Sequence, residues 1–555
     1  MQDPKRPESR KMRSGTLRCL RRLPVPSLLS PAGHRLSVRQ QASAAAASAS
    51  AVSAVAKASK PTFKTVPFVK EDMELVMEEV PDFKYYFIGD EDPVQNIYAN
   101  TPLDKSILKN GEYHAPDLSE LKKPELEYST LENGLKIVSI DRDGLTCSLG
   151  LFVHAGSRYE DVTNYGVSHM IELMAYHSTA HLSYLRTIKT IEALGANATC
   201  QAGREHVVYQ AECLRHYMPL LVPMLIGNVL FPRLLNWEVK DRHRFVDKQR
   251  RQLEKKPDAF LTEMLHITAY HNNTLGNKLY ATERSLSYFN EHTVRDFMMQ
   301  HFSPNRMVFM GVNVKHEELC KWLMRSFVDY NPIPHQDRPE IKPIYTGGDQ
   351  RIEANLPVCH TAIGFEVGGW NSRDLEAATV LQTLLGGGGS FSTGGPGKGI
   401  HTRLYTDVLN RHNWLESCVA FNTMYSDSGL FGLYFVHAPL QGTEAIAVMC
   451  DQLVKMKTVT AEELKRAKNC LKASIWMNLE NRAIVMEDVA RQLLMSGKVV
   501  DGHAFCAAID AVTEKDIARV ATEMLQKRPT VVCYGDIATI PHYEEICTAL
   551  KTAAK

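Results

Sequence analysis

Two kinds of hydrophobic pattern alternate along this chain, and the same order of patterns occurs twice. From residue 126, apolar and polar positions alternate, which predicts strands over 126–140 and 145–154 around the turn signals Asn133-Gly134 and Asp143-Gly144. Apolar residues at helical spacing then predict helices over 167–177 and from about 181 to a glycine stop at Gly195. The rest of this half is predicted as paired strands at 196–202 and 206–213, several helices over 216–302, a short apolar strand at 307–312 and a closing helix near 316–327.

A proline-rich stretch, YNPIPHQDRPEIKP from 330 to 343, predicts a linker, which we extend to residue 349. The second half is then predicted as a strand region near 351–367, helices at 375–385 and 400–410, paired strands at 415–424 and 429–437, helices over 443–526, a short apolar strand at 530–534 and a final helix from about 541. The halves match best near their ends, at TVRDFMMQHFSPNRMVFMGV (293–312) and TEKDIARVATEMLQKRPTVVCYGD (513–536). The repeat predicts an α+β fold of two homologous lobes, 124–329 and 350–555, each a mixed β-sheet flanked by helices. A chance likeness of helix order is the alternative.

Charge distribution adds a targeting segment to this picture. The chain of 555 residues has a net charge of +1, but its first sixty residues are rich in arginine, serine and alanine and contain only two acidic residues, Asp3 and Glu8. This composition predicts a transit peptide for a mitochondrion or plastid over residues 1–60, with a disordered basic tail as the alternative. A nucleic-acid-binding arm is disfavoured because no aromatic residue is interleaved with the basic ones.

Residues 61–123 differ again, with acidic clusters and the aromatic run FKYYFIGD. We expect an extended arm that orders by lying on another surface, and a small independent domain is the alternative. The most apolar window, 217–235, contains three prolines and falls short of a span of about 20 residues, so membrane association is expected only through partners. Twelve cysteines without a C-x-x-C pair predict reduced, mostly buried thiols.

A glycine-rich run, GGGGSFSTGGPGKG, occupies residues 386–399. Glycine loses the most backbone freedom on folding, so we expect a mobile surface loop without regular structure, which joins the helices at 375–385 and 400–410 and touches an extended peptide or a partner. A phosphate-binding loop ending at Lys398 is disfavoured, because it would need glycine in place of Ser392 and serine or threonine in place of Gly399. A flexible linker is the alternative. The candidate binding residues are Gly386, Gly387, Gly388, Gly389, Ser390, Phe391, Gly394, Gly395, Pro396, Gly397, Lys398 and Gly399.

An incomplete zinc motif lies in the sequence GVSHMIELMAYHS. His169 and Glu172 are three residues apart, and Leu173 follows on the same helix face. In the motif H-x-x-E-H, two histidines four residues apart bind zinc, and the glutamate takes a proton from the metal-bound water. Leu173 occupies the second histidine position and has no lone pair to offer, so one ligand is absent.

The segment HAGSRYEDVTNYGVSHMIELMAYHST, 154–179, resembles the pitrilysin-type metallopeptidases, the family of mitochondrial processing peptidase and of the core proteins of respiratory complex III. The resemblance extends over about 126–551. Within it, GGGGSFSTGGPGKGIHTRLYTDVLN (386–410) and MEDVARQLLMSGK (486–498) are similar to stretches of alpha-type subunits of the processing peptidase. The resemblance implies a clamshell of two related lobes.

The resemblance also implies a third zinc ligand, which is a glutamate in catalytic relatives. The corresponding residue of this chain is Gln249. A neutral amide is a poor replacement for a carboxylate on zinc. His177 and Glu254 are the nearby substitutes, but we expect no metal and no other cofactor. His169 is then expected to make a hydrogen bond in the core.

Three functions remain open at this point. The first is a non-catalytic alpha subunit in the mitochondrial matrix, which holds basic presequences for cleavage by a zinc-bearing beta subunit. The second is a structural core protein of complex III on the matrix face of the inner membrane, and both roles can belong to one chain. The third is a metallopeptidase active by itself, which Leu173 and Gln249 oppose. None of the three involves nucleic acid.

Overall fold

The computed structural model describes residues 60–67, 124–142, 144–327, 330, 340–390 and 399–554. The predicted transit peptide up to residue 59, most of the predicted arm and most of the proline-rich linker lie outside these ranges. Residues 60–67 belong to the arm, and Lys64–Val66 forms a strand that pairs in parallel with Leu126–Leu131. This short part of the arm is therefore an edge strand of the first lobe.

The first lobe contains a seven-stranded sheet in the order β1-β2-β3-β7-β4-β6-β5. Its strands are β1 (Lys64–Val66), β2 (Leu126–Leu131), β3 (Lys136–Ile140), β4 (Thr146–Val153), β5 (Asn197–Ala202), β6 (Val207–Leu214) and β7 (Met307–Val312). Its helices are α1 (Val167–Met174), α2 (Tyr184–Ala193), α3 (Met218–Leu230), α4 (Asn236–Glu254), α5 (Pro257–Ala269), α6 (Glu283–Leu286), α7 (Glu291–His301) and α8 (His316–Ser326).

The second lobe contains a six-stranded sheet in the order β10-β11-β12-β9-β13-β8. Its strands are β8 (Gly348–Glu353), β9 (Cys359–Gly368), β10 (Gly387–Gly389), β11 (Leu415–Met424), β12 (Ser428–His437) and β13 (Thr530–Gly535). Its helices are α9 (Leu375–Leu385), a π-helical segment (Leu404–Leu409), α10 (Gly442–Lys455), α11 (Ala461–Leu479), α12 (Arg482–Ser496), α13 (Gly502–Ala511), α14 (Glu514–Gln526) and α15 (Tyr543–Ala554).

Five strands have the same arrangement in both sheets. In each lobe a late strand, β7 or β13, pairs in parallel with an early strand and antiparallel with the next one. Two further antiparallel strands follow on that side, β6 and β5 in one lobe and β12 and β11 in the other. The predicted fold class, α+β with two related lobes and mixed sheets, is confirmed. The glycine strand β10 is an addition at the edge of the second sheet.

Each sheet is covered on one face by helices of its own lobe and on the other by one helix from the opposite lobe. In the first lobe, Ile137 and Phe309 belong to the core under its own helices. Their neighbours point to the other face, where Val138, Val308 and Met310 pack with Met486 and Val489 of α12. Successive residues of a strand point to opposite faces, so both faces of these strands are buried, and β7 (MVFMGV) carries no polar side chain.

The second lobe repeats this arrangement with helix α5. Val532 of β13 and Leu430 of β12 pack against Leu261, Leu265 and Ala269 of that helix. The lobes therefore exchange helices, and the core on this second face of each sheet needs both halves of the chain.

A buried ion-pair network also joins the lobes. The guanidinium of Arg158 donates to both carboxylate oxygens of Asp427, at 2.9 and 2.6 Å, and to Glu205 at 2.5 Å. Glu205 in turn accepts hydrogen bonds from the backbone and side chain of Ser426. Arg158 and Glu205 are each 3% exposed at the side chain, so water does not weaken this contact between a first-lobe turn and the β11–β12 hairpin.

Several predicted boundaries are corrected. Helix α1 ends at Met174 rather than near His177, because Ala175 has extended backbone angles and Tyr176 has a φ of 59°. The helix predicted at 400–410 is a π-helical segment over Leu404–Leu409. The predicted linker to residue 349 overlaps β8, which begins at Gly348 because it pairs with β13. None of the helices within the described ranges is long and apolar enough to cross a bilayer.

Replacing Leu265 by alanine tests the exchange of helices. Leu265 is 2% exposed and belongs to the core that α5 forms with the second sheet. We expect Leu265→Ala to cost about 2–5 kcal/mol, as truncation of a buried leucine does, and to speed amide hydrogen exchange in β9 and β13 of the other lobe. Leu440→Ala, at a side chain that is 79% exposed, is the control. Faster exchange confined to residues 124–327 would contradict the arrangement.

Candidate functional site

The structure brings two of the predicted zinc-motif positions into direct contact. His169 lies on α1 and Gln249 on α4, eighty residues later in the chain. The Nε2 atom of His169 donates to Oε1 of Gln249 at 2.5 Å. Gln249, which we predict at the third ligand position, therefore lies next to His169, and the two side chains form a hydrogen bond.

A buried carboxylate holds helix α1 in place. Glu160 accepts hydrogen bonds from the backbone N–H groups of Gly166 and Ser168, at 2.6 and 2.8 Å. These groups lie at the N-terminus of α1, where a negative charge is favourable. Burial raises the pKa of Glu160 to about 7, although both backbone hydrogen bonds act in the opposite direction. The position of His169 is thus set by a contact outside the motif.

The surroundings of His169 are those of a packed core. The residue is 6% exposed, and the centre of its ring lies 4.6 Å from that of Tyr280 in an edge-on arrangement. Leu173, which stands at the second histidine position, packs against the core of the first lobe. An isobutyl group here stabilises the helix by apolar contact and offers no metal ligand.

Glu172, the counterpart of the catalytic glutamate, has a structural contact. Its Oε2 accepts a hydrogen bond from the backbone N–H of Ala202 at the end of β5, at 3.0 Å. A general base must reach the proton that it abstracts, directly or through one water. In this structure the carboxylate instead connects α1 to the edge strand of the sheet.

The residues at this position do not fit a zinc ion. Zinc in a catalytic site takes three protein ligands from histidine, cysteine or carboxylate, whereas this position offers one imidazole and one neutral amide. Of the two predicted substitutes, His177 stacks on Tyr184, and Glu254 is exposed at the end of α4. Within the described ranges, no group of three or more histidine, cysteine or acidic side chains is arranged to hold a metal ion.

The first part of the glycine run is regular structure, which corrects the prediction of a wholly irregular loop between two helices. Residues Gly387–Gly389 form β10 and pair antiparallel with Ser417, Cys418 and Val419 of β11. Gly387 has a φ of 106°, and a Cβ atom there would lie 2.1 Å from the carbonyl oxygen of Cys418. The missing side chain therefore allows the run to approach β11 closely, and glycine is required for pairing rather than for mobility at this point.

One threonine connects the two ends of the glycine run. The hydroxyl of Thr402 donates to the carbonyl of Gly399 at 2.6 Å and accepts from the backbone N–H of Gly387 at 3.2 Å. The backbone of Gly386 is also fixed, because its carbonyl accepts from Ala420 of β11. Ser390 donates its backbone N–H to Glu416, so the run is anchored through residue 390.

The remaining candidate residues of the run, Phe391, Gly394, Gly395, Pro396, Gly397 and Lys398, lie outside the described residues. Beside Gly399, where the description resumes, is a cavity of about 510 Å³. Leu384, Ile400 and Ala467 provide apolar lining, and Arg466 contributes a charge. The Gly399 end of the run thus borders a space large enough for one or more side chains of a ligand.

Two contacts that position these sites were not predicted from the sequence. The sequence around Thr402 does not indicate its role, apart from the glycine three residues before it. Its hydrogen bond to Gly387 joins residues that are fifteen positions apart. The Arg158–Asp427 pair joins residues 269 apart. Neither pairing follows from periodicity or from motif spacing, because both arise when separate elements meet.

The fold defines a class, a two-lobed α+β scaffold with two related mixed sheets. Residues 136–283 match the family model for insulinase, peptidase family M16, and residues 288–471 match the peptidase M16 inactive domain. The chain belongs to peptidase family M16, which confirms the resemblance to the pitrilysin-type metallopeptidases.

Relatives in this family have a common name. The chain is 37% identical to the mitochondrial-processing peptidase subunit alpha of Solanum tuberosum, over 81% of this chain and 90% of the relative. It is 38% identical to the probable mitochondrial-processing peptidase subunit alpha-1 of Arabidopsis thaliana and 32% identical to subunit alpha of Homo sapiens, each over 82% of this chain and 90% of the relative.

Restoring the ligand set tests whether the motif alone decides zinc binding. We expect the purified wild-type chain to retain well under one zinc per molecule after dialysis, because Leu173 and Gln249 supply neither an imidazole nor a carboxylate. The double variant Leu173→His, Gln249→Glu should bind close to one zinc, measured by atomic emission. The same variant with His169→Ala added is the control and should lose the metal. One tightly bound zinc on the wild-type chain would contradict this interpretation.

Proposed function

We propose that this chain is the non-catalytic, substrate-recognition subunit of a mitochondrial processing peptidase, the alpha type. The hydrogen bond between His169 and Gln249 carries the proposal, because it takes the place of a zinc ion in a scaffold that otherwise keeps the family's fold. The names of the relatives support the same assignment. Cleavage is then the task of a beta-type partner with an intact H-x-x-E-H motif.

The proposed substrate is the presequence of an imported precursor, which is basic and extended. A subunit without a metal contributes to cleavage by orienting the peptide at the partner's zinc, and such positioning lowers the barrier without any chemistry of its own. The place of action is then the mitochondrial matrix. A structural role in respiratory complex III stays a prediction from the resemblance.

We assign to the glycine run the role of contacting the presequence peptide. Its anchored first part, Gly386–Ser390, lies at the edge of the second sheet, and Thr402 keeps its two ends together. Lys398 has the same charge as a presequence, so the run covers the peptide rather than binding its arginines, and Phe391 is the apolar contact. The neighbouring cavity beside Ile400 is then the place for an apolar side chain of the presequence.

Reconstitution with a beta-type partner tests the proposal. We expect the chain alone to leave a presequence peptide intact, and the heterodimer to cleave it. Replacing residues 391–398 by an alanine-serine segment of equal length should slow cleavage at least about tenfold if the cover must open and close. Zinc content and heterodimer yield are the controls and should not change. Unchanged cleavage by a correctly assembled heterodimer would count against a role of the run.

Thr402→Val tests the anchor separately from the run itself. Valine keeps the volume of threonine but removes the hydroxyl that bonds Gly387 and Gly399, so we expect cleavage by the heterodimer to fall by about 3- to 10-fold, the value of one or two hydrogen bonds. The matched control is Thr406→Val, since the Thr406 hydroxyl contacts only its own turn and Asp407 among the described residues. Equal effects of both variants would show that the anchor has no special role.

A further inference from the structure

A second cavity, of about 700 Å³, lies between the lobes. One wall is the first sheet with Leu126, Tyr128 and Ile140, and the other walls come from the end of α11, from α12 and from the start of α13. The apolar residues that line it on the second-lobe side are Ile475, Trp476, Leu479, Ile484, Val485, Val489, Val499, Val500 and Phe505. Its volume is typical of cavities that hold small ligands.

A buried carboxyl group lies in this apolar wall. Asp488 of α12 is 8% exposed, and its Oδ2 accepts a hydrogen bond from Nε2 of Gln492 at 2.9 Å. The Gln492 amide is oriented by its other end, because its Oε1 accepts from the backbone N–H of Val500 at 2.7 Å. Asp488 is therefore held as an acceptor, while its Oδ1 is buried with no hydrogen-bond partner among the described residues.

The charged groups around the cavity are mostly acidic. Glu125, Glu480 and Asp501 line it together with Asp488, whereas Arg142 is the basic residue and donates to the carbonyl of Leu479. A buried acceptor without a partner is unfavourable, and a cation would satisfy both its hydrogen bond and its charge.

We propose that this cavity binds an apolar chain that ends in an ammonium or guanidinium group, with Asp488 as its counter-ion. The alkyl part lies against the walls formed by Ile475 and Val489, and the cation donates to Oδ1 of Asp488. The proposal concerns a site separate from the glycine run, since the two cavities lie at different ends of α11, and it does not depend on the proposed function.

Binding of such a cation is linked to a proton. Burial raises the pKa of Asp488 from 3.8 to about 7, although the hydrogen bond from Gln492 lowers it. The carboxyl group is therefore largely protonated at pH 5.5 and ionised at pH 8. Affinity for the cation should therefore rise as the pH increases to about 7 and then level off. The other titratable or charged groups at the cavity are Glu125, Tyr128, Arg142, Glu480, Asp501 and His503.

Calorimetry with n-octylguanidinium and n-octanol on the full chain tests the site. At pH 8 we expect the guanidinium to bind at least tenfold more tightly than the alcohol, with one site per chain. A capped peptide with one arginine between leucines tests the second source of the same chemistry. Binding of the small cation, of the peptide or of both supports the site, whereas no binding of either overturns it. Equal affinities for octylguanidinium and octanol would overturn the role of Asp488.

Four variants separate charge from shape. Asp488→Asn should abolish the preference for the cation and its pH dependence but leave octanol binding unchanged, and Val499→Trp should weaken both ligands by filling the cavity. His503→Gln should keep the pH dependence, since the proposal assigns it to Asp488. Asp451→Asn, at an exposed residue of α10, is the matched control.

Thermal unfolding then shows that the Asp488→Asn variant folds. The folded-state pKa of Asp488 lies above the unfolded value, so the wild-type chain loses stability as the pH rises from about 4 through 7. Asparagine removes this loss, and the variant should have a higher Tm than the wild type at pH 8 but a similar Tm at pH 4. A lower Tm at pH 8 would overturn the assignment of Asp488 as a buried ionised group.

Discussion

The exchange of helices α5 and α12 between the lobes is the contact on which the rest of the structure depends. A β-sheet has two faces, and each sheet here covers only one of them with helices of its own lobe. The other face is closed by a helix that the chain delivers from the opposite lobe. Apolar area left in water would cost roughly 25 cal/mol per Å², so each sheet needs a helix from the other half of the chain. The pair of the buried Arg158 with Asp427 adds directionality to this contact, because two parallel hydrogen bonds require a fixed orientation.

The predicted zinc-motif positions of helices α1 and α4 are held together by contacts that need no metal. Helix α1, its N-terminal carboxylate Glu160 and the neighbouring helix α4 still bring positions 169 and 249 together. At those positions an imidazole now meets an amide, and Leu173 fills with apolar volume the place of a ligand. His169 contacts Gln249, and Glu172 contacts the end of β5. These contacts connect α1 to α4 and to the edge of the first sheet.

The glycine run combines two physical uses of the same residue. At Gly386 and Gly387 the absence of a side chain permits positive φ angles and close pairing with β11, which fixes the start of the run. After the run, the hydroxyl of Thr402 forms hydrogen bonds with the backbone of both Gly387 and Gly399, so it connects the end of the run to its start. The cavity near Asp488 lies where helix α12 crosses between lobes, so the exchange of helices also creates it.

The sequence by itself determined the element order, because alternation and helical spacing are local properties of neighbouring residues. It predicted the strand at 307–312, the helix at 375–385 and the repeat of the whole order. It also predicted an incomplete zinc site, because leucine offers no metal ligand and a neutral amide is a poor replacement for a carboxylate. Only the tertiary structure decided that three glycines form a strand, that Thr402 joins the ends of the run and that α5 and α12 cover each other's sheets. These features depend on contacts between residues far apart in the chain, and no pattern within one segment records which distant segment it will meet.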